Sequence, residues 1–195
     1  GEEALAAHVL GYLGEISREQ LETLKEKGYK AGDIVGTSGV EAYYEDTLRG
    51  IDGKRIVEVD ASGKPLRVLG EEERNPGKTV ILTLEKNLQI AVEGALREGM
   101  EKARTYYDKE RGKNYSAPAG AAVVLDPRTG EILAMASEPT FNLENFVGGI
   151  DEQEWAVLND PANNYPLNNR AIVGQYPPGS TFKVITAMAA LQDLG

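Results

Sequence analysis

No cysteine occurs in this sequence, and histidine is present only once, as His8. Without a thiol the chain cannot form zinc fingers, a disulfide framework or a cysteine nucleophile. A single imidazole also excludes a histidine cluster for a metal ion. A Ser-His-Asp triad could use only His8 as its histidine. Because His8 lies in an Ala- and Leu-rich stretch, we predict a packed or capping residue rather than a ligand or a catalytic base.

Positive charge and long apolar runs are scarce as well. The 195 residues carry 21 basic and 31 acidic side chains, for a formal net charge of −10. Such a surface repels phosphate backbones and anionic headgroups, which disfavours nucleic acid and a polybasic membrane contact. The longest apolar stretches, 121–125 and 184–191, are far too short for a membrane span, and no signal-peptide pattern opens the sequence. The chain begins and ends abruptly, so we expect an excised piece of a longer protein.

The first part of the chain predicts short helices and one hairpin. A serine cap, leucines among Glu and Lys, and a closing glycine predict a helix over residues 17–27. A second short helix is predicted around residues 41–48. Alternation of apolar and charged residues at 55–60 and again at 65–69 predicts a β-hairpin. The acidic run 71–73 is interpreted as a solvated turn.

The turn sequence Asn75-Pro76-Gly77 is the predicted boundary between two modules. The elements predicted after it are a strand (79–84), a long helix (86–107), an exposed loop (109–118), an apolar hairpin (120–125 with 131–136) and a final helix (180–194). The balance of elements is α+β with local antiparallel pairing. We expect the first module to be the better ordered one, because the apolar side chains of the final helix lack cover.

Ser180 and Lys183 are the candidate catalytic residues. A serine at a helix start and a lysine three residues later lie one turn apart on the same face. In a partly dehydrated pocket a lysine loses basicity, so it can accept the serine proton, and the helix N-terminus favours a developing alkoxide. The competing interpretation is structural: after Pro-Pro-Gly, Ser180 can serve simply as a helix N-cap.

The surrounding residues resemble the active-site serine motif of class B penicillin-binding proteins. Residues 176–183 read YPPGSTFK, and S-x-x-K is the signature of this enzyme group. Further matches to the family occur in order along the chain, at residues 8–12, 36–41, 44–45, 48–50, 120–127, 130–135, 168–171 and 187–191. The YPPG sequence before the serine favours the elongation type, penicillin-binding protein 2, over the septal and sporulation types.

The resemblance implies a two-module architecture. Residues 1–76 would be an N-terminally truncated pedestal, or dimerisation, module with a β-hairpin and short helices. Residues 77–195 would be the start of a transpeptidase domain, an antiparallel sheet flanked by helices that is incomplete here. The family completes its site with S-x-N and K-T/S-G motifs downstream of the serine, and neither occurs in this sequence. We therefore expect the isolated chain to be inactive.

The implied activity is serine-type D,D-transpeptidation that cross-links peptidoglycan. Ser180 would be the nucleophile and Lys183 the general base, and no cofactor or metal would be needed. The implied partners are peptidoglycan stem peptides, β-lactam antibiotics and cell-wall elongation or division proteins that bind the pedestal. The implied location is the extracytoplasmic face of the bacterial membrane, held there by an anchor that this chain lacks.

Two other functions stay open at this point. Serine β-lactamases and β-lactam sensors share S-x-x-K, although they lack a pedestal. The chain could also act only as a non-catalytic interaction or dimerisation piece. A further ambiguity concerns Glu41, Glu45 and Arg49, which lie four residues apart on one short helix. They are either a surface ion-pair face or a brace for the pedestal.

Overall fold

The computed structural model describes residues 5–193, which form helices and four two-stranded antiparallel sheets. The helices are α1 (Ala7–Leu10), α2 (Arg18–Leu24), α3 (Gly39–Tyr43), α4 (Glu45–Leu48), α5 (Lys86–Thr105), α6 (Glu152–Asn159), α7 (Arg170–Val173) and α8 (Lys183–Asp193). The strand pairs are β1 (Leu13–Glu15) with β2 (Ile34–Gly36), β3 (Lys54–Val59) with β4 (Pro65–Glu72), β5 (Tyr107–Asp108) with β6 (Lys113–Asn114), and β7 (Gly120–Leu125) with β8 (Ile132–Glu138). The predicted α+β class is confirmed.

The first predicted helix forms because its ends are capped as the sequence indicates. The Ser17 hydroxyl accepts from the Gln20 N–H, and the Gln20 side chain accepts from the Ser17 N–H, which completes a capping box. A 3₁₀ turn, Lys25–Lys27, follows α2, and Gly28 ends it with φ of 88°. A glycine tolerates this left-handed conformation without steric cost.

The second predicted helix is split into α3 and α4. Tyr44 separates them with φ of −104° and ψ of 18°, outside the helical range. A small apolar core lies beside these helices, formed by buried Ile16, Tyr29 and Val35 with Leu21 and Leu24 packed against it. This core fixes α2 against the β1–β2 ribbon.

The predicted hairpin is present, but it extends further than expected. Strand β4 continues to Glu72, and two acidic residues of the expected turn instead form rungs with β3. Lys54 pairs with Glu72 at 3.1 Å and Arg55 with Glu71 at 2.7 Å. The solvated-turn interpretation is therefore wrong for these two residues, because opposite charges across an antiparallel pair favour continued pairing.

The second half of the chain is built on α5 and the β7–β8 hairpin. Both were predicted, and α5 packs along this hairpin mainly through β8. The strand predicted at residues 79–84 does not form. The Thr83 hydroxyl donates to the Ile132 carbonyl at 2.6 Å and the Glu85 N–H to the Leu133 carbonyl at 2.9 Å. These two bonds hold the segment beside β8 without a ladder. The expected loop 109–118 contains β6.

Residues near the start of the chain pack into the second half. Ala7 is buried in one cluster with Phe141, Phe146 and Leu158, and the Tyr12 ring stacks on Phe146 with centroids 3.9 Å apart. Meanwhile the β3–β4 hairpin exposes Ile56, Leu66 and Leu69 by 58–61%. The better-packed region therefore includes residues 141–167, so buried structure is not confined to the first module.

The final predicted helix is present as a 3₁₀ turn, Gly179–Phe182, followed by α8. Its predicted last residue, Leu194, lies outside the described residues. Every described residue after Ala171 is exposed. None of the helices within residues 5–193 combines the length and apolar composition that a membrane span requires.

Candidate functional site

Ser180 lies in the 3₁₀ turn, and Lys183 is the first residue of α8. The Thr181 N–H donates to the Pro178 carbonyl at 3.2 Å, and the Lys183 N–H donates to the Ser180 carbonyl. This closes one turn between the two residues, so both side chains project from neighbouring positions on one face. Gly179 enters the turn with φ of 55°, a conformation that favours glycine.

The N-cap interpretation of Ser180 is wrong. The residue at the cap position of this turn is Pro178, and no side chain caps it. Within residues 5–193, Oγ of Ser180 forms no hydrogen bond, including none with Nζ of Lys183.

The described residues leave the serine turn open to solvent. Tyr176 before the serine is 64% exposed, Phe182 after it is 50% exposed, and Val184 is 65% exposed. A lysine acts as a general base when burial or nearby charges disfavour its protonated form. No residue in the 5–193 range supplies that dehydration, so the catalytic roles of Ser180 and Lys183 stay predictions.

Hydrogen bonds attach residues 168–170, which precede the serine turn in the sequence, to strand β8. Ser137 Oγ donates to the Asn168 carbonyl at 3.1 Å and accepts from the Arg170 N–H at 3.0 Å. The Arg170 guanidinium donates to the carbonyls of Asn164, Tyr165 and Asn168. Because Ser137 is only 5% exposed, its two bonds are shielded from water. They fix the position from which the chain continues toward Ser180.

A second buried contact joins α5 to the same strand. Gln89 is 1% exposed; its Oε1 accepts from the Met135 N–H at 2.8 Å, and its Nε2 donates to the Met135 carbonyl at 2.8 Å. The amide also donates to Oε1 of Glu93, which accepts from the Ala6 N–H at 2.8 Å. The Gln89 side-chain amide therefore bonds the Met135 backbone at the edge of β8 in the way that a neighbouring strand would.

The sequence argument missed Ser137 and Gln89. A signal was present at position 89, where a polar residue lies on the face of α5 that also carries Val92 and Leu96. A polar side chain on an apolar face must find a partner when it is buried. Spacing does not reveal that the partner is a backbone 46 residues away.

Of the two interpretations of Glu41, Glu45 and Arg49, the structure supports the brace for Glu45 and Arg49. Oε1 of Glu45 accepts from the Tyr29 hydroxyl at 3.0 Å, and its Oε2 accepts from the Gly36 N–H at 2.8 Å. Arg49 pairs with Asp33 at 3.0 Å and lies over the Tyr29 ring, 3.3 Å from its centroid. Burial, and then the bond to Glu45, raise the pKa of Tyr29. Glu45 and Arg49 thus bind the first module together rather than each other.

His8 is a packed residue, as predicted. Its Nε2 lies 2.6 Å from the Pro166 carbonyl, and its ring meets Phe141 edge-on with centroids 5.0 Å apart. Burial is the main cause that lowers the pKa of His8, and the nearby Arg170 adds to it. Across residues 5–193, no group of three or more His, Asp and Glu side chains is arranged to hold a metal ion.

Two family models match the sequence. Residues 2–82 match the penicillin-binding protein dimerisation domain, and residues 120–193 match the penicillin binding protein transpeptidase domain. A curated relative, the peptidoglycan D,D-transpeptidase MrdA of Acinetobacter baumannii, is 38% identical over 96% of this chain and 25% of its own length. The chain thus spans about a quarter of the length of the curated relatives that it matches.

Solved structures agree with this match. One of them is described as "Structural coordination of polymerization and crosslinking by a peptidoglycan synthase complex". It is 41% identical with a TM-score of 0.81, and the match covers 97% of this chain and 32% of the chain in that structure. The complex of penicillin-binding protein PBP2 with MreC from Helicobacter pylori is 34% identical, with a TM-score of 0.73. The match covers 97% of this chain and 31% of the chain in that structure.

Proposed function

The chain belongs to the penicillin-binding proteins, and from this premise we propose that it is part of a peptidoglycan D,D-transpeptidase of the elongation type. The observation that carries the proposal is the Ser180–Lys183 turn, which follows Pro-Pro-Gly inside the match to the transpeptidase domain. The match of residues 2–82 to the dimerisation domain supports this function over a serine β-lactamase or a β-lactam sensor.

In the proposed reaction, Oγ of Ser180 attacks the carbonyl of the penultimate D-Ala of a stem peptide while Nζ of Lys183 takes the hydroxyl proton. The tetrahedral intermediate collapses, its C–N bond breaks, and the proton passes to the leaving terminal D-Ala. The resulting ester is then attacked by an amine of a second stem peptide, which forms the cross-link and returns the serine hydroxyl. The Ser180 N–H is a candidate donor to the oxyanion.

The proposal extends to organisation and partners. We place the boundary near Asn75–Gly77, with residues 1–76 as the pedestal and 77–195 as the start of the transpeptidase domain. We propose cell-wall elongation or division proteins as partners, bound through the pedestal. The complex of the H. pylori PBP2 with MreC supports a protein partner for this chain. We further propose an anchored protein acting on the extracytoplasmic face of the bacterial membrane, with stem peptides and β-lactams as its ligands.

The decisive experiment replaces Lys183 in the full-length protein. Lys183→Ala should lower the second-order rate of acylation by a chromogenic cephalosporin about 10²- to 10⁴-fold, the usual contribution of a general base. Lys183→Arg should be nearly as damaging, because a guanidinium stays protonated and cannot accept the serine proton. Thermal unfolding of each variant serves as the folding control.

The outcomes separate the roles of the two residues. Near wild-type acylation by the arginine variant would make Lys183 an electrostatic residue rather than a base. Labelling that survives Ser180→Ala would remove the proposed nucleophile. For the isolated 195-residue chain we expect no covalent penicillin adduct, because its serine turn is exposed, and intact-mass measurement after incubation tests this.

A further inference from the structure

A basic segment rich in tyrosine interrupts the otherwise acidic chain. Residues 102–115 contain five basic side chains against two acidic ones, a local net charge of +3 in a chain of −10. Tyr106, Tyr107 and Tyr115 belong to the same segment and are 55%, 60% and 50% exposed. The segment begins in the last turn of α5 and continues through the β5–β6 hairpin, apart from the serine turn in sequence.

The hairpin places two of the three tyrosines, Tyr106 and Tyr115, side by side as a platform. The Tyr115 N–H donates to the Tyr106 carbonyl at 3.1 Å, just beyond the paired residues Tyr107 with Asn114 and Asp108 with Lys113. Residues directly opposite each other in an antiparallel pair project from the same face, and that face recurs every second residue. Tyr106, Tyr115 and Lys113 therefore share one face of the hairpin, on which Asp108 lies opposite Lys113. Tyr107 lies on the other face.

Hydrogen bonds hold this small hairpin in shape. The Arg104 guanidinium donates to the carbonyls of Ser116 and Ala117, and the Asn114 amide donates to the Arg104 carbonyl. One carboxylate oxygen of Asp108 accepts from the N–H groups of Glu110 and Arg111, which closes the turn. Hydrogen bonds between side chains and backbone groups thus fix the platform, and none of them involves a tyrosine ring.

The lysines of the segment remain available for a ligand. Arg111 has an acidic neighbour, with its Nε 3.6 Å from Asp108. Within the described part of the chain, Lys102, Lys109 and Lys113 form no ion pair. Exposed aromatic rings beside unpaired cations fit a ligand that presents flat apolar faces and negative charge together.

We propose that the β5–β6 hairpin of this basic segment, residues 106–115, binds the glycan strand of peptidoglycan outside the catalytic site. Sugar rings offer the flat C–H faces that can lie on Tyr106 and Tyr115, and stem-peptide carboxylates offer the charge for Lys109 and Lys113. The choice of this polymer rests on the proposed function, which already brings peptidoglycan to the protein. The hairpin would hold a strand while a stem peptide reaches Ser180.

The charge distribution favours a strand over a lipid surface. An anionic bilayer is a broad surface, so it would approach the rest of a chain with net charge −10 as well as the hairpin, and that charge repels it. A single polymer strand is narrower than a bilayer, so it can contact the hairpin while most other charges of the chain lie farther away. At physiological salt, charges more than about 8 Å apart are largely screened from each other. The hairpin is therefore assigned to the polymer.

Co-sedimentation of the full-length protein with purified peptidoglycan sacculi tests the proposal. The variant Tyr106→Ser/Tyr115→Ser/Lys109→Ser/Lys113→Ser should bind sacculi about 10-fold more weakly, since exposed charge and aromatic contacts each contribute modestly. The control, Tyr43→Ser/Tyr176→Ser/Lys54→Ser/Lys64→Ser, removes two exposed tyrosines (81% and 64%) and two lysines elsewhere and should leave binding unchanged.

Two parallel measurements identify the cause of any failure. Unchanged sacculus binding by the fourfold variant would overturn the proposal, and so would a loss confined to binding of phosphatidylglycerol vesicles, which would make the hairpin a membrane contact. Fluorescent penicillin labelling of Ser180 is measured on the same samples. Absent labelling of the wild type would contradict the proposed function, whereas hairpin-dependent sacculus binding would still support the polymer site.

Discussion

Phe141 and Phe182 are the same kind of side chain in two parts of the second half of the chain, but they differ greatly in exposure. Phe141 is 6% exposed, in a cluster with Phe146 and Leu158 that α1 and Tyr12 cover. Phe182 is 50% exposed, beside the serine, where the described residues provide no cover. The difference comes from elements elsewhere in the chain: residues near position 7 fold back onto one phenylalanine, and no described segment does so for the other.

Buried polar groups follow the same division. Buried Gln89 and Ser137 bond backbone groups 46 and 31 residues away, and half-buried Glu45 bonds the Gly36 N–H nine residues away. Beyond Ala171 the recorded side-chain hydrogen bond is local, from Thr186 to the Phe182 carbonyl four residues earlier. The packed part of the molecule is therefore cross-linked mainly over long sequence distances, whereas the turn that carries Ser180 depends on bonds within its own helix.

The largest expected effect is the loss of a covered aromatic side chain. Phe141→Ala should lower the free energy of unfolding by about 3 to 5 kcal/mol, because it removes a buried ring and leaves a cavity. Phe182→Ala, the matched control, should change it by no more than about 0.5 kcal/mol. Urea unfolding of the 195-residue chain measures both. Equal losses would show that the region around Phe182 is covered in solution.

An intermediate effect is expected from the buried amide. Gln89→Leu keeps the volume but leaves the Met135 N–H and carbonyl without their partner, which should cost about 1 to 3 kcal/mol. Gln192→Leu makes the same change on the exposed helix α8 and should be nearly neutral. The same unfolding experiment compares them. A neutral Gln89→Leu would mean that water or another group satisfies Met135 as well as the amide does.

The smallest expected effect is a pH dependence of the folding stability, which comes from His8 beside the buried Phe141. His8 has a lowered pKa in the folded chain, so the unfolded state binds its proton more readily. Its contribution to stability is complete above the usual value of 6.5 and declines as the pH falls below it. Since His8 is the single histidine, His8→Gln should flatten this part of the stability profile.

Denaturant midpoints measured between pH 7.5 and about 5.5 would detect this slope, above the range where carboxylates normally titrate. Tyr176→Phe, a change on the exposed segment, is the control and should keep the wild-type slope. A slope that persists in His8→Gln would assign the pH dependence to carboxylates instead.

The sequence by itself determined the local structure and the placement of the candidate catalytic pair. Helix α2 with its capping box, the two larger hairpins and the one-turn spacing of Ser180 and Lys183 follow from residues within a few positions of each other. Turn chemistry and side-chain periodicity act over this range, so they can be deduced from neighbouring residues. The predicted strand at 79–84 failed because a strand also needs a partner along its whole length.

Only the tertiary structure decided which segments meet. The contact of His8 with the Pro166 carbonyl joins residues 158 positions apart, and the contact of Gln89 with Met135 joins residues 46 apart. No local pattern encodes such a pair, because either side chain can be satisfied by any suitable group that packing brings near. The exposure of Ser180 has the same origin: burial depends on the surfaces that surround a turn, not on the residues that form it.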